Sequence, residues 1–430
     1  MTDIADLAGR LGECVVPLER PDADTLDDLR SIGETLATRR VVALGEATHG
    51  TKEFFDLKRR LVQFLVTERD LRALGLEANF GAARRVDRYV VDGEGSPEAA
   101  VEALSYWTCA TEEMCELVEW LREYNEERPR SERVRVYGFD LRSTRGPARA
   151  LRSFLERVDP DYLDEVRPHF AELDADWLGQ GRESTPDQVL AAKTLGEKLS
   201  ERFERREEAY RSAVGDREWR LARRRRRLIE QAHEFATAAL LDDHPSPDAV
   251  RDAAMAENVR WILDHAPGER LALWAHNGHV TTGTGMFGHG DEGGTATSPT
   301  TMGDHLRREY GDEYYALGFE FGRGSFVAVS DPTSDDDPVI RPHSMETGPD
   351  GSLPAVLDAT DERVCFLDLS SPPEDPTVSA WVDRESCLHN VGAVYHSDSE
   401  KNYASVAPRR AFDGLIFVAE TTPSNPVGGG

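Results

Sequence analysis

The chain has 430 residues, 39% hydrophobic and 30% charged, with a formal charge of −29, which allows a large core and more than one lobe. No run approaches the roughly 18 apolar residues that a membrane span needs, and the N-terminus MTDIADLAGRLGE lacks the basic and apolar regions of a signal peptide; a cytoplasmic protein without a membrane partner is expected. Lysine is confined to Lys52, Lys58, Lys193, Lys198 and Lys401, and this arginine-for-lysine acidic composition reads as adaptation to molar salt, where a Debye length of about 3 Å leaves little long-range steering and no case for a nucleic-acid partner.

In chain order, residues 41–44 (VVAL) read as a short buried strand. The chain then turns through GEATHG and enters an amphipathic run with Phe54, Leu57, Leu61 and Phe64. Glu46 and His49 therefore sit three residues apart on a strand-to-helix turn. If Thr51 caps the helix, its macrodipole disfavours the imidazolium of His49 while the neighbouring carboxylate favours it. Such a pair suits a general base.

RALGLE is a second strand ending at Glu77, and RVRVYGFD a third ending at Asp140, with the helical LVEWLREYN (117–125) between them. Residues 145–265 carry long helical patterns and no strand signal. Their basic cluster, Arg223 to Arg227, reads as a solvated helix face paired with nearby acids. RLALWAHNGH returns to strand and ends at His276, with His279 three residues on. The glycine- and threonine-rich stretch 281–303 reads equally as a mobile flap or as a disordered loop. YYALGFEFG carries Glu320, RVCFLDLSS carries Asp368, and the acidic segment between them reads as solvated loop. No internal repeat is present.

Strands alternating with helices predict an α/β fold, a largely parallel central sheet flanked by helices, with an inserted all-helical lobe. The expected divisions are 1–144 and 266–423 for the two halves of the core, 145–265 for the insertion, and 424–430 for a disordered tail. Ligands of such sheets bind beyond the carboxyl ends of the strands. Glu46, His49, Glu77, His276 and His279 are thus expected at one mouth although they lie far apart in the chain. Two chemistries use such a set. In one, His49 deprotonates a water, Glu46 or Glu77 orients the imidazole, and His276 polarises or protonates the substrate oxygen. In the other, the same groups bind a divalent metal.

Other templates fit poorly. Cys14, Cys109, Cys115, Cys365 and Cys387 have no CxxC spacing, which argues against a disulfide framework or structural zinc. There is no GxSxG elbow, no phosphate-binding GxxxxGKS/T loop and no dinucleotide GxGxxG after a strand, so no cofactor is expected.

The segments LGEATHGTKEFFDLKRRLVQFLV, GLEANF, VYGFDLRS, RDAAMAENVRWIL, WAHNGHV, MGDHLRREYG, YYALGFEFGRGSF and FDGLIFVAETT together resemble the erythromycin esterase family. The resemblance implies an α/β domain with helical insertions and hydrolysis of an ester or macrolactone by histidine-activated water, without an obligatory metal, linked to antibiotic response. It implies His49 as the base, with Glu46, Glu77 and His276 as catalytic partners. It also implies His279, Lys58, Asp140 and Arg251 as substrate contacts. Lys58 stands where the family often has arginine. For Asp140 and Arg251, as for Asp252 and Asn258, structural hydrogen bonding at the sheet edge is the competing expectation. The alternatives to a metal-free esterase are a metal-dependent hydrolase built on the same cluster and a non-hydrolytic small-molecule binding or biosynthetic protein.

Overall fold

A computed structural model describes residues 4–173, 185–241, 245–283, 300–331 and 339–428. Twelve strands occur among them: β1 (Val15–Pro17), β2 (Val41–Leu44), β3 (Ala73–Asn79), β4 (Arg135–Asp140), β5 (Leu271–Trp274), β6 (Tyr314–Ser330), β7 (Ile340–Met345), β8 (Val364–Asp368), β9 (Ser386–His389), β10 (Val394–Tyr395), β11 (Tyr403–Val406) and β12 (Gly414–Thr421). Ten form one sheet in the order β1-β8-β12-β6-β2-β5-β3-β4, with β7 and β10 also paired to β6, and β9 and β11 form a separate ribbon. The fold is mixed α/β, a central sheet flanked by helices.

Its middle is parallel: β12 with β6, β6 with β2, β2 with β5, and β5 with β3. Antiparallel pairs lie at the margins, β1 and β12 with β8, and β6 with β7. Strands buried on both faces need apolar residues at every position. Accordingly, all four residues of β2 and of β5 are buried. Register then decides what stands at the carboxyl end. Leu44 pairs with Trp274, which pairs with Leu76, and Leu44 also pairs with Leu317. Glu46, Glu77 and His276 therefore leave three adjacent strands at nearly the same level.

The chain divides into two compact units. The first, residues 1–77, 84–137 and 259–430, holds the sheet except for the last residues of β3 and β4. The second, residues 78–83 and 138–258, is helical. Its helices Arg145–Val158, Pro160–Leu173 and Pro186–Leu240 pack around Leu151, Phe154, Phe203, Tyr210 and Trp219. The long helix breaks at Gly215, whose φ of 81° lies outside helical geometry.

The limits of this unit differ from the expected 145–265. Asn79 donates to the carbonyls of Arg142 and Ser143, and Asn258 donates to the carbonyl of Phe139 at 2.7 Å, so both flanks are tied in by side-chain bonds to the backbone. The arginine cluster is paired as expected, through Arg224–Glu257, Arg225–Glu218, Arg226–Glu230 and Arg227–Glu234. Arg224 and Arg225, however, are buried rather than solvated.

Within the first unit residues 424–428 depart from the disorder expected of 424–430, whose last two residues lie outside the described residues. Ser424 N donates to Gly50 O, Asn425 O accepts from Glu112 N, and Val427 N donates to Ala110 O. Backbone groups around the starts of two helices, Lys52–Glu68 and Glu112–Glu126, give the segment its partners. Residues 284–299 of the suggested flap lie outside the described residues, as do 332–338 of the acidic loop. Among the described residues no helix is long and apolar enough to cross a membrane, and all five cysteines are free.

Candidate active site

The turn after β2 begins at Gly45, where a Cβ would stand 2.2 Å from Asn277 Oδ1. Only glycine lets the β2 and β5 turns approach so closely. Asn277 fixes the second turn by exchanging hydrogen bonds with the backbone of Phe319 on β6. Thr51 is the N-cap of the helix Lys52–Glu68. Its hydroxyl, however, bonds that of Thr48 at 2.5 Å instead of capping an amide.

Glu46 is the hub of the turn. One carboxylate oxygen lies 2.6 Å from His49 Nδ1 and the other accepts from Lys58 Nζ at 2.5 Å. The side chain of His49 keeps 13% exposure against 4% for Glu46, so the imidazole is the more open end of the pair. A carboxylate at Nδ1 holds the proton there and leaves Nε2 as the basic nitrogen.

Lys58 is fully enclosed, its ammonium 4.6 Å from the centre of the Trp274 ring and 5.7 Å from that of Phe319. Burial lowers its pKa, and the Glu46 carboxylate opposes that shift. Lys58 is thus a buried brace for Glu46, whereas a substrate contact was the expectation.

The β5 turn supplies the second imidazole. His276 is buried, and its ring centre stands 5.2 Å from that of His49. Nδ1 accepts from Gly278 N at 3.1 Å, so the proton resides on Nε2, which lies 3.3 Å from the carbonyl of Ala47. Burial first, then the neighbouring His49, push the pKa of His276 down to about 3. Burial thus favours the neutral, N–H-donating form of the ring. An accepting Nδ1 and a protonated Nε2 suit polarisation of a substrate oxygen.

Glu77 at the end of β3 accepts from His276 N at 2.9 Å through one oxygen, and its other oxygen is 3.3 Å from His279 Nε2. Glu77 and His279 therefore support the backbone that carries His276. The structure brings together Glu46, His49, Lys58, Glu77, His276 and His279. Asp140 and Arg251 meet each other within the helical unit, in a bidentate pair at 2.8 and 3.2 Å.

Sequence reasoning missed Cys109, which is buried close enough to feel the charges of Glu46, Glu77 and Lys58; burial pushes its thiol up to about 12. It also missed the segment 389–392, whose backbone bonds the 46–49 turn. No spacing in the sequence marks either. The donors are committed elsewhere for a metal: Glu46 bridges an ammonium and an imidazole, and both ring nitrogens of His276 face backbone partners. Among the described residues no group of three histidine, cysteine, aspartate or glutamate side chains is disposed to hold an ion.

The model of a family described as erythromycin esterase matches residues 66–421. The chain is similar to a putative hydrolase, YbfO, of Bacillus subtilis, 24% identical over 429 residues covering 95% of this chain and 89% of that one. It is also similar to an erythromycin esterase type II of Escherichia coli, 22% identical over 438 residues covering 95% and 96%. A Bacillus cereus protein of known crystal structure shares the fold with a TM-score of 0.81 at 24% identity, over 99% of this chain and all of that one.

Proposed function

We propose that this chain, which belongs to the erythromycin esterase family, is a hydrolase that cleaves a carboxylic ester or lactone with water activated by His49. The observation that carries the reading is the pairing of a carboxylate-oriented imidazole with a neutral one 5.2 Å away. Opposite environments give two histidines opposite tasks.

Water bound at His49 Nε2 loses a proton to that nitrogen as its oxygen bonds the acyl carbon. Glu46, held by Lys58, stabilises the imidazolium that forms. The carbonyl electrons move onto oxygen, and the oxyanion takes a hydrogen bond from His276 Nε2–H. That donor rests on Ala47 O at 3.3 Å, a long bond that is readily exchanged for a stronger one to a developing anion. Collapse expels the alkoxide, which takes the proton from His49, and the carboxylic acid product ionises in solvent. Lys58 and Glu77 bind no substrate in this scheme; they hold the two rings. The donor set favours this route over a metal-bound water.

The substrate class is a small-molecule ester, with macrolides included because relatives are named erythromycin esterases. The acidic, lysine-poor composition supports a high-salt setting for the reaction, so assays belong in molar salt. The deciding experiment incubates wild type and His49→Ala with macrolides, simple lactones and aryl esters, and follows product mass in ¹⁸O-water. Incorporation of one label and a loss of about 10²- to 10⁴-fold in His49→Ala are expected. A His49→Ala protein within about tenfold of wild type would remove the base.

A further inference from the structure

The first unit contains a second carboxylate–imidazole pair. His389, the last residue of β9, places Nδ1 2.8 Å from Glu320 Oε1, and both side chains are fully buried. Glu320 also accepts from the backbone N–H groups of His389, at 3.0 Å, and Phe321, at 2.9 Å. The His389 ring stacks on Phe321 with centres 4.1 Å apart. Among the described residues its Nε2 has no hydrogen-bond partner.

An unpaired buried acceptor costs about 1–3 kcal/mol, and apolar pairs often replace buried polar ones without loss of stability. Stability alone therefore gives no reason for histidine here. What the pair does provide is a fixed starting point for the chain that follows. Val391 N and Gly392 N both donate to the carbonyl of Ala47, at 3.1 and 3.3 Å, and His49 N donates to Gly392 O at 3.2 Å. Gly392 has φ of 58°, and a Cβ there would lie 3.7 Å from His276 Nε2. The far end of this strap is held by Val329 N, which donates to Ala393 O, and by the pairing of β10 with β6.

Both anchors of the strap are thus on β6, the neighbour of β2. Between them it grips the one carbonyl that also receives His276 Nε2. We propose that Glu320 and His389 are positioning residues: through the strap they set the height of the Ala47 carbonyl and hence the spacing of His49 and His276. The proposal deepens the hydrolytic reading and rests on it for its kinetic consequence, though not for its structural one.

The test compares His389→Leu, which removes the Nδ1 donor, His389→Asn, whose amide can donate from nearly the same place, and the isosteric Glu320→Gln. Ring ¹⁵N resonances of His49 and His276 are read in full-length, ¹⁵N-histidine-labelled protein without substrate, assigned with His49→Asn and His276→Asn. His389→Leu and Glu320→Gln should move both sets of resonances. On an ester that wild type cleaves, they should lower kcat by about 10- to 100-fold, the loss that a small misplacement of catalytic groups produces, with KM unchanged. His389→Asn should restore both readouts. Unmoved resonances in the folded variants overturn the proposal. So does failure of all three variants to fold, which would make the pair structural alone. An inactive wild type with moving resonances counts against hydrolysis only.

Discussion

The ring of His276 stands 5.2 Å from that of His49, the planes tilted by 46°. The two are equipped differently. His49 has a carboxylate on Nδ1, whereas both ring nitrogens of His276 face the backbone and its carboxylate, Glu77, holds the main-chain N–H instead. His276 is therefore the donor of the pair. His276→Ala should lower kcat by about 10²- to 10³-fold, the value of one well-aimed oxyanion donor. His276→Gln, which can place an N–H near the lost Nε2, should recover part of that loss. Equal rates for the alanine variant and wild type on the best ester found would dismiss the assignment.

The same burial makes stability depend on pH. In the unfolded chain His276 takes up a proton near its ordinary value of 6.5, but in the folded chain only near 3. The unfolded state therefore binds more protons between those values, and the contribution to stability is complete above about pH 6.5 and lost as pH falls toward 3. Denaturant unfolding across that window should show a shallower acid slope in His276→Gln than in wild type. Parallel curves would contradict it.

Much of this site was legible in the sequence, for physical reasons that can be named. VVAL followed by GEATHG marks a buried strand and its turn, and the rule that parallel strands present their carboxyl ends together brings Glu77 and His276 to Glu46. Lys58 had a signal that was not used: with Phe54 and Leu61 it shares the inner face of one helix, at i+4 and i+3 spacing. The strap at 389–392 and the pinned segment 424–427 had none. Both are held by backbone bonds to distant residues, which leave no pattern in side-chain type. Proline, serine and glycine near the C-terminus report only local freedom, and say nothing of helix ends elsewhere that satisfy the same amides. The edges of the helical unit were hidden likewise, since Asn79 and Asn258 fix them by a few side-chain bonds to the backbone.

Cys109 lies among the charged groups yet should not react. Its thiol is held protonated, with a pKa pushed up to about 12 by burial, and the thiolate is the nucleophile. Native protein treated with a disulfide reagent near neutral pH should leave Cys109 unmodified by peptide mapping, and unfolded protein should react at all five cysteines. Rapid native labelling of Cys109 would mean that the thiol is open and ionised.

Arg251 and Asp140 should reveal themselves through stability. Breaking a buried ion pair by removing one partner typically costs about 3–5 kcal/mol, because the remaining charge is stranded. Arg251→Met should lower the unfolding free energy by about that amount, and Asp140→Asn, which keeps an acceptor for the guanidinium, by less. Unchanged unfolding midpoints with an altered KM would return both residues to the role of substrate contacts.

Lys58 offers the sharpest separation of holding from reacting. Its ammonium is enclosed and bonded to Glu46 Oε2, while His49 takes Oε1. Lys58→Met keeps the volume but leaves Glu46 with the imidazole as its one remaining partner of the two, so the buried carboxylate gains affinity for a proton. Stability should fall by about 3–5 kcal/mol. A protonated Glu46 no longer stabilises the imidazolium, so the activity lost should return in part as pH rises and the carboxyl ionises. Lys58→Arg restores the charge but adds bulk to a closed site, and overpacking of that kind costs about 1–3 kcal/mol; it should be less stable than wild type yet keep the wild-type pH profile. Stopped-flow or steady-state rates across pH, set beside denaturant unfolding of the same samples, distinguish the two variants. If Lys58→Met lost stability while its pH–rate curve stayed superimposable on that of wild type, Lys58 would be a packing residue with no part in setting the charge of Glu46.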